Sequence, residues 1–563
     1  MTGLSDRLKE RRVVQWGLAY LGGAWLGFQV LDALREPWNI PDGFTRALTV
    51  LLVVGFFASL VLAWYHGEKG RQRVSGPELL ILAGLAFCAG VLLTLIRDDG
   101  DPEAVTAYAE LTDAVAVLPL ADRSPDGSRQ YFGDGIADEI ISTLSRTGMV
   151  RVIGRSSSFA LRDLPASEVG RQLGVANVLE GSFRTEGERM RIDVALVNAA
   201  DGFERWSRQF ERSTSGLLQV QSEIAEAVVA ELTGEEVQTL VSLDSLPPEA
   251  ADLYFQARAH WTRRTEPDLR RALDLFDAAA ELAPGYAPAL AGLGDTYAVM
   301  GFYQYLPPEQ AFPAAEDFAT RALELDPGLA DAVAARAYVD LYYNWDWASA
   351  EAGFRRAIEA DPGYSVAHQW YGNFLLTQRR FDQAERELRR AVALEPLSII
   401  SRAAVPWGLY YVRKHAEALT DLDEILTLDP GYFLAHYWKG WHLQRVGEME
   451  AAVTSLERAV TLSDSTEIAL AALAGAYARA GRADEAALLR DHLGDPSLTP
   501  VPPLYELGKA YLAAGDLATA FRWFERAFEE RANQLVFIAA DPELDPVRND
   551  PRYLDLVERL GLD

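Results

Sequence analysis

Pro362, Pro396 and Pro430 stand 34 residues apart, each directly after an acidic residue and each closing an alanine-bearing amphipathic stretch such as Ala384…Ala391. A fixed period of this length marks a helical solenoid. One such unit cannot bury its apolar face alone, so successive units must stack into a continuous core. The period therefore restricts the C-terminal half of this 563-residue chain to an all-α array whose product is a surface.

Charge narrows what that surface meets. The formal net charge is −29, with +3 in residues 1–97 and −32 in the remainder. So acidic a body repels phosphate backbones, which excludes nucleic acid as a partner. Along the helical patterns the acids are interspersed with arginine, as on a solvated face. Cys88 is the single cysteine, so there is no intrachain disulfide and no cysteine-based zinc site.

Three apolar stretches, 13–34, 47–65 and 79–96, each come near the ~20 residues that cross a hydrocarbon core. They predict a three-helix transmembrane anchor over residues 1–97, in contact with a lipid bilayer. Arg7, Lys9, Arg11, Arg12, Lys69, Arg71 and Arg73 face the acidic run after Arg97 across these stretches. The positive-inside rule then puts the N-terminus in the cytoplasm and the body in the periplasm, at a bacterial inner membrane. Gly23-Ala24-Trp25-Leu26-Gly27 is a GxxxG packing motif and leaves a homo-oligomer open.

After an acidic linker, 98–112, the pattern becomes mixed. Ala114–Leu120 reads as a buried strand, Gln130–Thr147 as a helix with Ile136, Ile140, Ile141 and Leu144 on one face, and Val150–Gly154 as a second strand. A short helix and three strands joined by polar turns follow, and Leu217–Leu232 closes a small α/β domain over 113–234. Gly133-Asp134-Gly135 matches neither a P-loop nor GxGxxG and reads as a tight turn, with Asp134 capping the helix. In Arg155-Ser156-Ser157-Ser158 the hydroxyls are expected to bond their own turn.

The segments Ala116-Val117-Leu118-Pro119-Leu120, Tyr131-Phe132-Gly133-Asp134-Gly135-Ile136-Ala137-Asp138-Glu139-Ile140 and Arg155–Phe159 resemble the TolB-like domain. So do Leu173-Gly174-Val175, Val178–Arg184, Trp206 and Arg208–Phe210. That domain is related to the N-terminal domain of TolB and to the FlgO family, and the resemblance covers roughly 114–232. It implies a non-catalytic module that joins a membrane anchor to repeats. Some relatives add an adenylate-cyclase or winged-helix output domain, for which the residues ahead of the first apolar stretch leave no room.

From residue 250 to 534 about eight units resemble tetratricopeptide repeats, as in Leu293-Gly294-x-x-Tyr297, Leu507-Gly508-x-x-Tyr511 and Ala272…Phe276…Ala279…Pro284. Residues 535–563 are expected to cap the open end. Stepping by 34 along the first helices collects Trp261, Tyr342, Tyr343, Gln369, Trp370, Asn373, Trp407, Tyr410, Tyr411, Tyr437, Trp438, Trp441 and Arg445 on one face. A stripe at this spacing suits a core as well as a surface. The core positions of the repeat are already filled, so these residues are assigned to a concave groove for a protein or peptide partner. The repeat histidines form no HExxH, no serine sits in a G-x-S-x-G elbow, and no catalytic residue, metal or cofactor is expected. The expected fold is multidomain: three transmembrane α-helices, a small α/β TolB-N-like domain and an all-α tetratricopeptide solenoid. The expected function is a periplasm-facing interaction scaffold. The alternative is a non-enzymatic signalling or sensor component, related to cyclase-linked TolB-like proteins, that relays ligand binding to a separate partner.

Overall fold

A computed structural model describes residues 114–125, 129–186, 189–213, 217–235, 247–498 and 502–562. Its α/β region runs β1 (Ala114–Val117), β2 (Ala121–Asp122), α1 (Gln130–Thr147), β3 (Arg151–Val152), α2 (Arg155–Ala160), α3 (Ala166–Leu173), β4 (Asn177–Glu186), β5 (Arg189–Asn198), β6 (Glu204–Ser213) and α4 (Leu217–Thr233). The sheet order is β3-β1-β4-β5-β6, with β2 beside β4. β1 is parallel to both neighbours and buried on both faces, which is why it reads as an unbroken apolar run. β4, β5 and β6 form an antiparallel meander. In β5 the side chains of Met190, Ile192, Val194 and Leu196 point inward, where Ile136, Ile140, Ile224 and Val228 of α1 and α4 cover them. Leu161, Val169 and Leu173 seal the opposite face of β1.

Gly133 and Gly135 lie within α1 rather than in a turn ahead of it. A Cβ on Gly133 would stand 2.0 Å from the Leu120 carbonyl oxygen, and one on Gly135 2.2 Å from the Phe255 ring. Both positions are bare so that a helix can approach its neighbours. Asp134 accepts from Gln130 Nε2 at 3.0 Å and pairs with Arg162 at 3.1 Å.

Eight antiparallel helix pairs follow among the described residues: α5 (Pro248–Trp261) and α6 (Glu266–Leu282), α7 (Ala287–Phe302) and α8 (Pro308–Leu325), α9 (Ala330–Val339) and α10 (Trp347–Ala360), α11 (Ser365–Thr377) and α12 (Phe381–Leu394), α13 (Ile399–Val412) and α14 (His415–Leu428), α15 (Phe433–Val446) and α16 (Met449–Leu462), α17 (Glu467–Arg479) and α18 (Ala483–Gly494), α19 (Leu504–Ala513) and α20 (Leu517–Glu529). Ala272, Ala279, Ala350, Ala357, Ala384, Ala391, Ala520 and Ala527 are all fully buried in second helices, where their size lets the next pair close in. The aspartate before Pro327, Pro362 and Pro430 has a local use. Asp326, Asp361 and Asp429 accept from the N–H two residues on, at 2.9, 3.0 and 2.9 Å, and so turn the chain into the next repeat. The chain ends in two 3₁₀ turns, Asn533–Phe537 and Pro542–Val547, and α21 (Pro551–Leu560).

The three-span fold class is corrected. The stretches 13–34, 47–65 and 79–96, and the linker 98–112, lie outside the described residues, and no described helix is long and apolar enough to cross a membrane. The fold is a tetratricopeptide-like helical solenoid with a small α/β region.

Candidate functional site

Much of the aromatic stripe faces the chain's own C-terminal segment. Rather than only capping the last repeat, residues 533–547 run along the inner face of the array. Phe537, fully buried, meets Trp407 edge-on with centroids 5.2 Å apart, stacks on Tyr411 at 5.1 Å and lies 6.3 Å from Tyr342. Asn533 Nδ2 donates to the Phe302 carbonyl at 2.9 Å, and Arg445 reaches the Pro542 carbonyl at 3.4 Å. The Tyr410 hydroxyl and Arg479 hold the Glu543 carboxylate at 3.2 and 2.8 Å. Asp541 accepts from Tyr505 and Lys509 at 2.9 and 3.3 Å. Arg413 grips Asp545 with two bonds of 2.5 and 2.8 Å. Within this buried network burial pushes the Glu506 carboxyl up to about 7. Burial also opposes the charge on Glu543, but Arg479, Lys509 and Arg445 outweigh it and hold that carboxyl well below its ordinary range.

The α/β region occupies another part of the inner face. Gly154 N–H donates to the Leu394 carbonyl at 2.8 Å, Leu397 N–H to Ser157 Oγ at 2.9 Å, and Arg151 to the Ala393 carbonyl at 3.1 Å. The Ser145 hydroxyl donates to Asp361, and Ser156 N–H to Glu395 at 3.4 Å. Arg258, on the first repeat helix, bridges Asp138 of α1 at 3.4 Å and Asp331 of α9 at 3.5 Å. The Ser157 hydroxyl thus serves the junction, and it is Ser158 Oγ that bonds back locally, to the Ile153 carbonyl at 3.3 Å.

Two adjoining cavities lie among these residues. One, of about 110 Å³, is walled by Phe302, Tyr338, Trp370, Trp407, Tyr437, Trp438 and Trp441, with Gln369, Asn373 and Glu506 among its polar groups. The other, of about 140 Å³, lies where the α/β region meets the repeats and is walled by Ser145, Arg155, Trp261, Asp331, Asp361 and Glu395 among others. Arg264, Gln369 and Ile400 line both, so the two adjoin. Tyr338 packs on Trp370 at 4.3 Å, and Tyr437 on Trp441 at 4.8 Å. Tyr343 points elsewhere, stacking on Phe312 at 5.4 Å.

Of the residues singled out from the sequence, Gln369, Trp370, Asn373, Trp407, Tyr437, Trp438 and Trp441 meet at the aromatic cavity, and Trp261 at its neighbour. Tyr342, Tyr410, Tyr411 and Arg445 are engaged by the C-terminal segment. Sequence reasoning missed Arg258, Arg264, Asp361 and Glu395. The last two were in plain view as the acids of the 34-residue period, but nothing local shows that they turn inward. His442 serves packing: burial pushes it down to about 4, and its Nε2 lies 3.0 Å from the Pro406 carbonyl oxygen, whereas His260 and His368 meet Asp268 and Glu387 at 2.7 Å. Among the described residues no cluster of three or more His, Cys, Asp or Glu is placed to hold a metal.

A tetratricopeptide repeat family profile matches residues 345–403. That stretch, from α10 into the start of α13, matches the repeat, and the other helix pairs share its antiparallel geometry. A curated relative, "Putative adenylate cyclase 3" of Rhizobium meliloti (strain 1021), is 33% identical over 186 residues, which is 32% of this chain and 32% of that protein. The chain thus spans about a third of that relative's length. Among solved structures, Pseudomonas aeruginosa pilF is 22% identical with a TM-score of 0.30, covering 41% of this chain and 96% of its own. Yeast Tom70 is 14% identical with a TM-score of 0.35, covering 94% and 99%. Neither overlap carries an argument about what this chain binds.

Proposed function

We propose that this chain is a non-enzymatic protein-interaction scaffold in which a TolB-like α/β domain and eight tetratricopeptide repeats act as one body. Tetratricopeptide arrays bind through their surfaces, and a concave face with clustered aromatic rings is suited to anchor side chains. One observation carries the reading: Gln369, Tyr432 and Trp438 line the aromatic cavity yet keep accessible surface, while Trp407, Tyr410 and Tyr411 are spent on the C-terminal segment. A partner therefore docks around Trp438 rather than along the full stripe.

Crosslinking capture with the full-length chain tests this. Trp438→Ala combined with Gln369→Ala is expected to lose partners that Tyr343→Ala retains. Identical capture by all three proteins would overturn the assignment.

A further inference from the structure

We propose that the cavity between the α/β region and the repeats binds a small organic ammonium ion, whose apolar body enters the adjoining aromatic cavity. This goes beyond the scaffold reading and requires no partner protein.

The case begins with unbalanced charge. Asp138 pairs with Arg155 at 3.2 Å and with Arg258 at 3.4 Å, and Arg258 also serves Asp331. Glu139 pairs with Arg146 at 3.6 Å. Asp361 and Glu395 are left over. They are 7% and 9% exposed, line the cavity, and among the described residues have hydrogen-bond donors but no cation within ion-pair distance. Arg264 does not relieve them. It stacks on the Trp261 ring at 3.7 Å, and the carboxyl that bears on its charge is the buried Asp295. Two buried carboxylates without an ion-pair partner are costly, and an incoming cation lowers that cost.

Independent of the acids, Asn373 Oδ1 lines the aromatic cavity without a partner, although Asn373 is only 6% exposed and its Nδ2 already donates to the Tyr342 hydroxyl. A buried acceptor left open asks for a donor. The faces of Trp370 and Trp438 around it attract cations or bury a ring. Trp261 Nε1 is also without a partner among the described residues and lines the charged cavity, so that it can donate to a hydroxyl on the same ligand. Size sets the limit. A cavity of about 150 Å³ holds benzene; the aromatic space of about 110 Å³ is smaller, so a ring fits only by extending across the shared Arg264, Gln369 and Ile400 wall into the neighbouring 140 Å³, which leaves room for a short aminoalkyl arm and none for an extended peptide.

Calorimetric titration of the full-length protein with phenethylamine, 2-phenylethanol and 3-phenylpropionate holds the ring constant and varies the charge. Phenethylamine is expected to bind at least about tenfold more tightly than the other two. Asp361→Asn should weaken it by about tenfold while leaving the thermal midpoint equal or higher, which separates lost binding from lost folding. Ala404→Phe, which fills the aromatic cavity at a wall position, should abolish it. Equal binding of the alcohol or the acid, no saturable heat from phenethylamine, unchanged binding by the Ala404→Phe protein, or displacement of the amine by a lysine-rich peptide would each overturn the proposal.

Discussion

Asp361 combines three demands on one carboxyl: it turns the backbone at Gly363, accepts the Ser145 hydroxyl from the α/β region, and faces a cavity. Burial pushes its pKa from the ordinary 3.8 up to about 6, against the pull of Ser145. The folded state therefore holds this proton more tightly than the unfolded chain. Its contribution to stability is fullest below about pH 4 and is lost as the pH rises toward about 6. Asp361→Asn keeps an acceptor oxygen for both donors and removes the charge. It is expected to raise stability by about 1–3 kcal/mol at pH 7.5 and to change little at pH 4. Thermal denaturation of both proteins at the two pH values measures this, and the difference between them cancels other titrating groups such as His442. An equal effect at both pH values would show that Asp361 is not a buried charge. The residue was visible in the sequence as the acid before Pro362, but its inward face was not, because Ser145 lies 216 positions away.

At the scale of elements, the repeat helices were legible because their contacts are local: each alanine meets a neighbour within one or two periods of 34. The last 3₁₀ turns were not. Leu535, Val536, Phe537 and Ile538 are all fully buried in a row, with neither helical nor strand periodicity, because the segment is enclosed on several sides at once. Nothing in such a run says which surface encloses it. Phe537→Ala removes the ring between Trp407 and Tyr411 and is expected to cost about 3–5 kcal/mol. Chemical denaturation would read that loss, and native-state tryptophan emission would shift to the red as water reaches Trp407. A cost below about 1 kcal/mol would mean that the segment rests on the inner face without being part of its core.

At the scale of the whole molecule, the solenoid and the α/β region each followed from pattern, whereas their union did not. Periodicity reports neighbours within an array and is silent about a second domain seated on it. Contacts such as Leu397 N–H to Ser157 Oγ join residues 240 positions apart. Gly135 is the exception in hindsight: a glycine on the buried face of an amphipathic helix marks a close approach, here to Phe255. Arg258 tests whether the two regions unfold together. Its guanidinium, 16% exposed, neutralises Asp138 on one side and Asp331 on the other. Arg258→Ala would leave both acids in the junction without it, a change on the order of 3–5 kcal/mol for a buried pair. Scanning calorimetry should then resolve the transition into two, with the α/β region melting first, while Arg263→Ala, at an exposed position just past the end of the same helix, leaves one transition. A lowered midpoint with a single undivided transition would instead mean that the remaining hydrogen bonds at Gly154, Ser157 and Arg151 suffice to couple the two regions.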